Sequence, residues 1–200
     1  MDNEFFSQFG EDKWLVENNI LPEKGFFLDI GAGDWKLLSN TYYLEQHGWD
    51  GLCVDADPRQ LVGLIENRKN VLVGAVKGYS EAIEIISFFM NRACADISRI
   101  DKQADEKEIF IPSISILDVI QLCHKNNQSF NIDLLSIDVE GAEINILQTM
   151  FDWGYFPTII IVEFMTSGVD NSEKVKELFK NQPYKLIHTT TANFIYRRTK

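Results

Sequence analysis

The chain has 200 residues, 45% of them hydrophobic and 14 of them Phe. That is enough apolar material for a sizeable core, and the length fits one domain rather than two. Nineteen Lys and Arg against 30 Asp and Glu leave a formal charge of −11, which repels a phosphate backbone and sets nucleic acid aside as a partner.

The elements follow in chain order. Residues 4–19 carry apolar side chains at Phe5, Phe6, Phe9, Trp14, Leu15 and Val16 and predict a leading helix, so residues 1–24 read as an N-terminal helical segment and 25–200 as the domain it packs on. GFFLDIGAG is a buried strand turning sharply. SNTYYLEQHG is helical, with Ser39 as N-cap and Gly48 as its stop. WDGLCVDADP is a second buried strand, RQLVGLIENRKN an amphipathic helix and NVLVGAV a third strand. EAIEIISFFM predicts an extra strand or hairpin beside the sheet, and the polar stretch from Ala95 to Glu108 an exposed loop. Then come a helix over SILDVIQLCHKN, a fourth strand over IDLLSID, a helix over GAEINILQTMFDWG, a fifth strand over FPTIIIVEF and a helix over SEKVKELFKN. YKLIHTTTANFIYRR reads as two strands with a tight turn near Thr191 to Asn193. Apolar strands alternating with helices predict a doubly wound α/β domain ending in an antiparallel hairpin.

Cys53, Cys94 and Cys123 show neither CxxC nor Cys/His ligand spacing and read as reduced structural thiols. With no basic-then-apolar leader and no run of 18 apolar residues, the expectation is a cytoplasmic protein without a membrane span.

In such a sheet the ligand sits beyond the carboxyl ends of the strands, so FLDIGAGDWKLLSN is the candidate cofactor loop. Gly31 and Gly33 let a ligand approach the backbone, and the helix start after Ser39 offers free N–H groups. Asp55 ends the second strand near the spacing, roughly 20 residues, at which a carboxylate takes ribose hydroxyls. Lys36 stands where a dinucleotide fold needs its third glycine, which disfavours NAD. Asp29 is placed to accept hydrogen bonds from an ammonium group, which S-adenosylmethionine carries and NAD lacks.

SQFGEDKWL (7–15), FLDIGAGDWKLLSNTYYLEQHGWDGLCVDADP (27–58) and IDLLSIDVEGAEINIL (132–147) resemble the FkbM-type methyltransferases. The resemblance implies a class I methyltransferase fold, Rossmann-like, with a seven-stranded sheet ending in a C-terminal antiparallel hairpin. It also implies S-adenosylmethionine as cofactor and O-methylation of a sugar hydroxyl, on a nucleotide-linked or polysaccharide-precursor sugar, or of a secondary metabolite. Carried over residue by residue, it puts Asp29, Gly31, Gly33, Ser39 and Asn40 around the methionine end of the cofactor, Asp55 on its ribose, and Asp138 and Glu140 at the methyl-transfer site.

The chemistry needs a group that takes the hydroxyl proton, or a divalent cation that lowers its pKa. Asp138 ends the fourth strand and Glu163 the fifth, so both project into one crevice with Glu140 between them, and oxygen ligation by Asp138 and Glu163 would favour Mg²⁺ or Mn²⁺ over zinc. His188, near the end of the sixth strand, is a candidate for the same rim, and Trp35 for a cover over the cofactor. Glu143, in the first turn of a helix, reads as a dipole-complementing residue. Gln8 and Glu11 either close over the site or cap and solvate a helix. An NAD-dependent sugar oxidoreductase and a non-catalytic cofactor-binding module are the competing readings, and the acceptor and oligomeric state stay open.

Overall fold

The structure is a computed structural model, and it describes residues 4–91, 106–126, 131–166 and 168–199. The first half of the chain forms α1 (Glu11–Glu17), β1 (Phe26–Ile30), α2 (Tyr42–Gln46), β2 (Asp50–Asp55), α3 (Pro58–Asn67), β3 (Val71–Val73), β4 (Ala75–Lys77) and β5 (Glu84–Asn91). The second half forms β6 (Glu106–Ser115), α4 (Ile116–Asn126), β7 (Leu134–Ile137), α5 (Glu143–Asp152), β8 (Ile159–Glu163), β9 (Met165–Thr166), β10 (Val169–Asp170), α6 (Ser172–Phe179), β11 (Tyr184–Thr189) and β12 (Asn193–Arg198).

Seven strands make the main sheet in the order β11-β12-β8-β7-β1-β2-β3. All neighbours are parallel except β12, which runs antiparallel to both β8 and β11. This is the doubly wound sheet with a terminal hairpin that the strand–helix alternation predicts. Side chains alternate faces along a strand, and here both faces are apolar. Phe26, Leu28 and Ile30 of β1 enter one core with Ile120 of α4, Ile146 of α5 and Phe179 of α6. Phe27 enters the other with Leu15 of α1, Leu44 of α2 and Leu64 of α3. Strand order reverses between β1 and β7, so the crevice beyond their carboxyl ends is where a ligand is expected.

Three expectations need correcting. The leading helix is confined to Glu11–Glu17, because Gly10, left-handed at φ 83°, begins it and the Asp12 carboxylate takes the Phe6 N–H and the Ser7 hydroxyl. Residues 4–10 form an irregular strap instead. The third strand is two: at Gly74 (φ 152°) the chain leaves the main sheet, and β4 joins a three-stranded sheet of order β4-β6-β5. At φ 152° an L side chain is strained, and a Cβ there would also crowd Ile114 at 2.8 Å and the Pro112 carbonyl oxygen at 3.1 Å, so glycine suits the switch. Finally, Glu106 to Glu108, read as loop, open β6 and pair with β5. Cys94 and residues 95–105 of the polar segment lie outside the described residues. Among those described, no helix is long and apolar enough to cross a membrane.

Candidate active site

After β1 the chain turns through Gly31 (φ 78°) and Gly33 (φ 60°), both left-handed. The N–H groups of Gly31 and Ala32 donate to the Val54 carbonyl at 2.9 and 3.2 Å, which ties the turn to β2. A Cβ on Gly31 would stand 1.7 Å from the Asp138 carbonyl oxygen, so glycine is what lets the β1 turn lie against the residue that follows β7. Asp55, at the end of β2, accepts from the Gly33 N–H at 2.8 Å and from the Asp57 N–H at 2.7 Å. Burial pushes its carboxyl up to about 6, although these amides pull the other way.

The turn, Asp55 and the ends of β7 and β8 line a cavity of about 340 Å³, within the size range of small-molecule sites. Phe88 of β5 supplies an apolar wall, and Asp138, Glu140 and Glu163 face the same space. Asp138 and Glu163 share a hydrogen bond, and for both carboxyls burial, with the other acids nearby, favours the protonated form. Asp138 is exposed to the cavity and Glu163 half-buried, and two like charges this close disfavour ionisation of both carboxyls at once. The outer oxygen of Glu163, Oε2, is buried without a partner among the described residues. Glu140 sits in the left-handed region at φ 57°, next to Gly141 at φ 126°. The turn is held by Glu143, which accepts from the Val139 N–H at 2.9 Å and the Gly141 N–H at 3.1 Å.

With this geometry the comparisons become informative. The profile of the family described as "Methyltransferase FkbM domain" matches residues 29–186. The chain belongs to the FkbM methyltransferase family. A solved structure similar to it is described as a TehB-like SAM-dependent methyltransferase from Corynebacterium glutamicum. The two share 12% sequence identity with a TM-score of 0.48, over 96% of this chain and 89% of the other. No match is found among curated proteins.

In this FkbM methyltransferase the residues singled out from the sequence fall into two groups. Gly31, Gly33, Asp55, Asp138, Glu140 and Glu163 converge on the cavity. Asp29, Ser39 and Asn40 do not line it. Asp29 faces the α1–α3 side of the sheet, 3% exposed, and accepts from the Thr41 hydroxyl at 2.5 Å. Ser39 accepts from the Tyr42 N–H at 3.1 Å, and Asn40 donates to the Ser136 hydroxyl at 3.1 Å. All three brace the loop from behind. His188 is not brought to the cavity either: its ring stacks on Trp14 with centroids 4.3 Å apart, and β12 separates its strand from β8. Trp35 packs edge-on against Tyr42 and does not cover the cavity, and Glu11 is buried against the terminal hairpin.

Sequence reasoning missed Arg68, which follows α3. Its side chain is buried and pairs with Glu45 at 3.0 Å. It also donates to the Thr41 hydroxyl at 2.8 Å and the Trp35 carbonyl at 3.4 Å, linking α2, the loop after β1 and, through Thr41, Asp29. Nothing in the string RKN distinguishes this arginine from a solvated one. The only available signal was Glu45, which needs a partner because it follows Leu44 on a face that is buried.

Proposed function

We propose that the protein is a S-adenosylmethionine-dependent O-methyltransferase acting on a hydroxyl of a sugar. The observation that supports this most is the hydrogen-bonded carboxyl pair Asp138–Glu163 beside a glycine turn that opens on the same cavity. The residues fit the cofactor. An added Cβ at Gly33 would meet nothing within 4 Å, leaving room at the turn, and the Asp55 carboxylate stands at the second strand's end, where ribose hydroxyls are taken. Gly31, Gly33 and Asp55 would hold S-adenosylmethionine, while Asp29, Ser39 and Asn40 set the loop's position. When bound, the cofactor supplies an electrophilic methyl group on a sulfonium. Asp138 then takes the proton of the acceptor hydroxyl, whose oxygen becomes the nucleophile. Glu163, protonated, holds Asp138 through their shared hydrogen bond and keeps it a single negative charge. Sugar as the acceptor class rests on the family resemblance, as does the carry-over of Glu140 to the transfer site.

The cluster supports a second reading for proton removal. Oxygens of Asp138, Glu143 and Glu163 lie within 4.8 Å of one another, and Asp138 and Glu163 would hold Mg²⁺ or Mn²⁺ in place of the shared proton, with Glu143 committed to backbone amides. Turnover unchanged in excess EDTA would remove that reading.

The test of the whole is calorimetric titration with S-adenosylmethionine and its demethylated product. The expected result is saturable binding of both. No binding of either contradicts the proposal.

A further inference from the structure

The cavity borders on the N-terminal strap, and the strap is anchored at both ends. Toward the N-terminus, Glu4 pairs with Lys36 at 3.7 Å and Ser7 forms a parallel bridge with Leu38, both on the cofactor loop. Toward the C-terminus, Glu11, fully buried, accepts from Thr190 Oγ1 and Asn193 Nδ2 at 2.8 Å each. Asn193 lies opposite Glu163 in the β8–β12 register. Residues 7–11 therefore run from the cofactor loop to the strand that flanks Glu163, and Gln8 among them lines the cavity.

The polar side chains that flank Gln8 in the strap are used up in holding it. Ser7 donates to Asp12, Asp12 also accepts from the Phe6 N–H, and Glu11 accepts from the Phe9 N–H and the hairpin. Gln8 is the exception: exposed to solvent, it lines the cavity with an amide that makes no hydrogen bond to the described residues and is open to a ligand. The charged side chains sharing the described part of that cavity are carboxylates, which only accept when ionised. The amide of Gln8, like that of Gln60 in the same lining, supplies a donor that a hydroxyl-bearing ring needs and that no ionised carboxylate provides. The same carboxylates disfavour a phosphorylated ligand.

We propose that Gln8 is an acceptor-binding residue, held over the cavity by the strap, and that the acceptor it orients is an electrically neutral, hydroxyl-bearing sugar ring rather than a nucleotide-linked one. This rests on the methyltransferase reading above, and the experiment separates the two. The protein saturated with S-adenosylhomocysteine is titrated with a panel of neutral methyl glycosides and with the same sugars as uridine diphosphate conjugates, for wild type, Gln8→Ala and Gln8→Glu. At least one neutral glycoside should bind wild type, at least tenfold more weakly in both variants, because Glu keeps the size but loses the donor. Affinity for S-adenosylhomocysteine and the melting temperature should be unchanged. The proposal is overturned if Gln8→Ala binds the glycoside as wild type does, if Gln8→Glu alone retains full affinity, if only the nucleotide conjugates bind, or if no neutral member binds. Failure of S-adenosylhomocysteine to bind at all would instead refute the methyltransferase reading.

Discussion

Asp138 and Glu163 show at the residue scale how a site stores a destabilising interaction. Each carboxyl is pushed toward its protonated form in the folded protein. A group whose folded pKa is raised contributes stability at low pH, below its unfolded value, and loses it as pH climbs through the folded value. Glu163→Gln keeps the shape and stays neutral. The variant should therefore melt near wild type at pH 5 and above it at pH 9, by about 2–4 °C for each kcal/mol of relieved repulsion. Thermal scans at the two pH values check this, and a gap that shrinks as pH rises would contradict it. Asp138→Asn should cut turnover by about 10² to 10⁴ while leaving cofactor affinity near wild type, read from kinetics and titration side by side. At this scale the sequence was legible where chemistry and chain position coincide. IDVEGAE marks a strand end and a cluster of acids, and Asp138 and Glu140 line the cavity beyond that strand. Asp29 was harder, because its orientation depends on which face of β1 it occupies. Parity with Phe27 turns it toward α2 and Thr41, away from the ligand side.

Among the elements, α3 and the loop after β1 depend on one buried cation. Arg68 faces Glu45 and, through Thr41, Asp29, and its guanidinium lies over the Phe27 and Tyr42 rings. Removing one partner of a buried ion pair leaves an uncompensated charge, at a cost of about 3–5 kcal/mol. Arg68→Met should lower stability by that order in urea unfolding. Arg68→Lys should recover only part of it, since one ammonium cannot reproduce the forked contacts to Glu45, Thr41 and Trp35. Equal stability of Lys and wild type would contradict this account. Long-range pairs of this kind carry no periodic signal, which is why the sequence concealed them. The small sheet was concealed for a related reason. β6 opens with Glu106-Lys107-Glu108 and contains Pro112, features of loops, and its pairing with β5 on one side and β4 on the other makes it a strand.

For the molecule as a whole, the seven-stranded sheet was legible because both of its faces are buried, so its strands are written as near-continuous apolar runs. The helices on either side then close two cores, and the chain reversal between β1 and β7 leaves the crevice. Pattern reasoning left the strap open between closing over the site and capping a helix, since the carboxylates of Glu11 and Asp12 that accept its anchoring hydrogen bonds resemble an ordinary helix start in sequence. Strap, glycine turn and acid pair together predict that donor and acceptor meet at one place, beside Asp138. The most direct measurement is a crystal structure of the protein with S-adenosylhomocysteine. The account predicts the sulfur within one acceptor oxygen's reach of the Asp138 carboxylate, with the ribose on Asp55 and Gln8 across the mouth. A ligand bound elsewhere, or an Asp138 walled off from the sulfur by packed side chains, would contradict it.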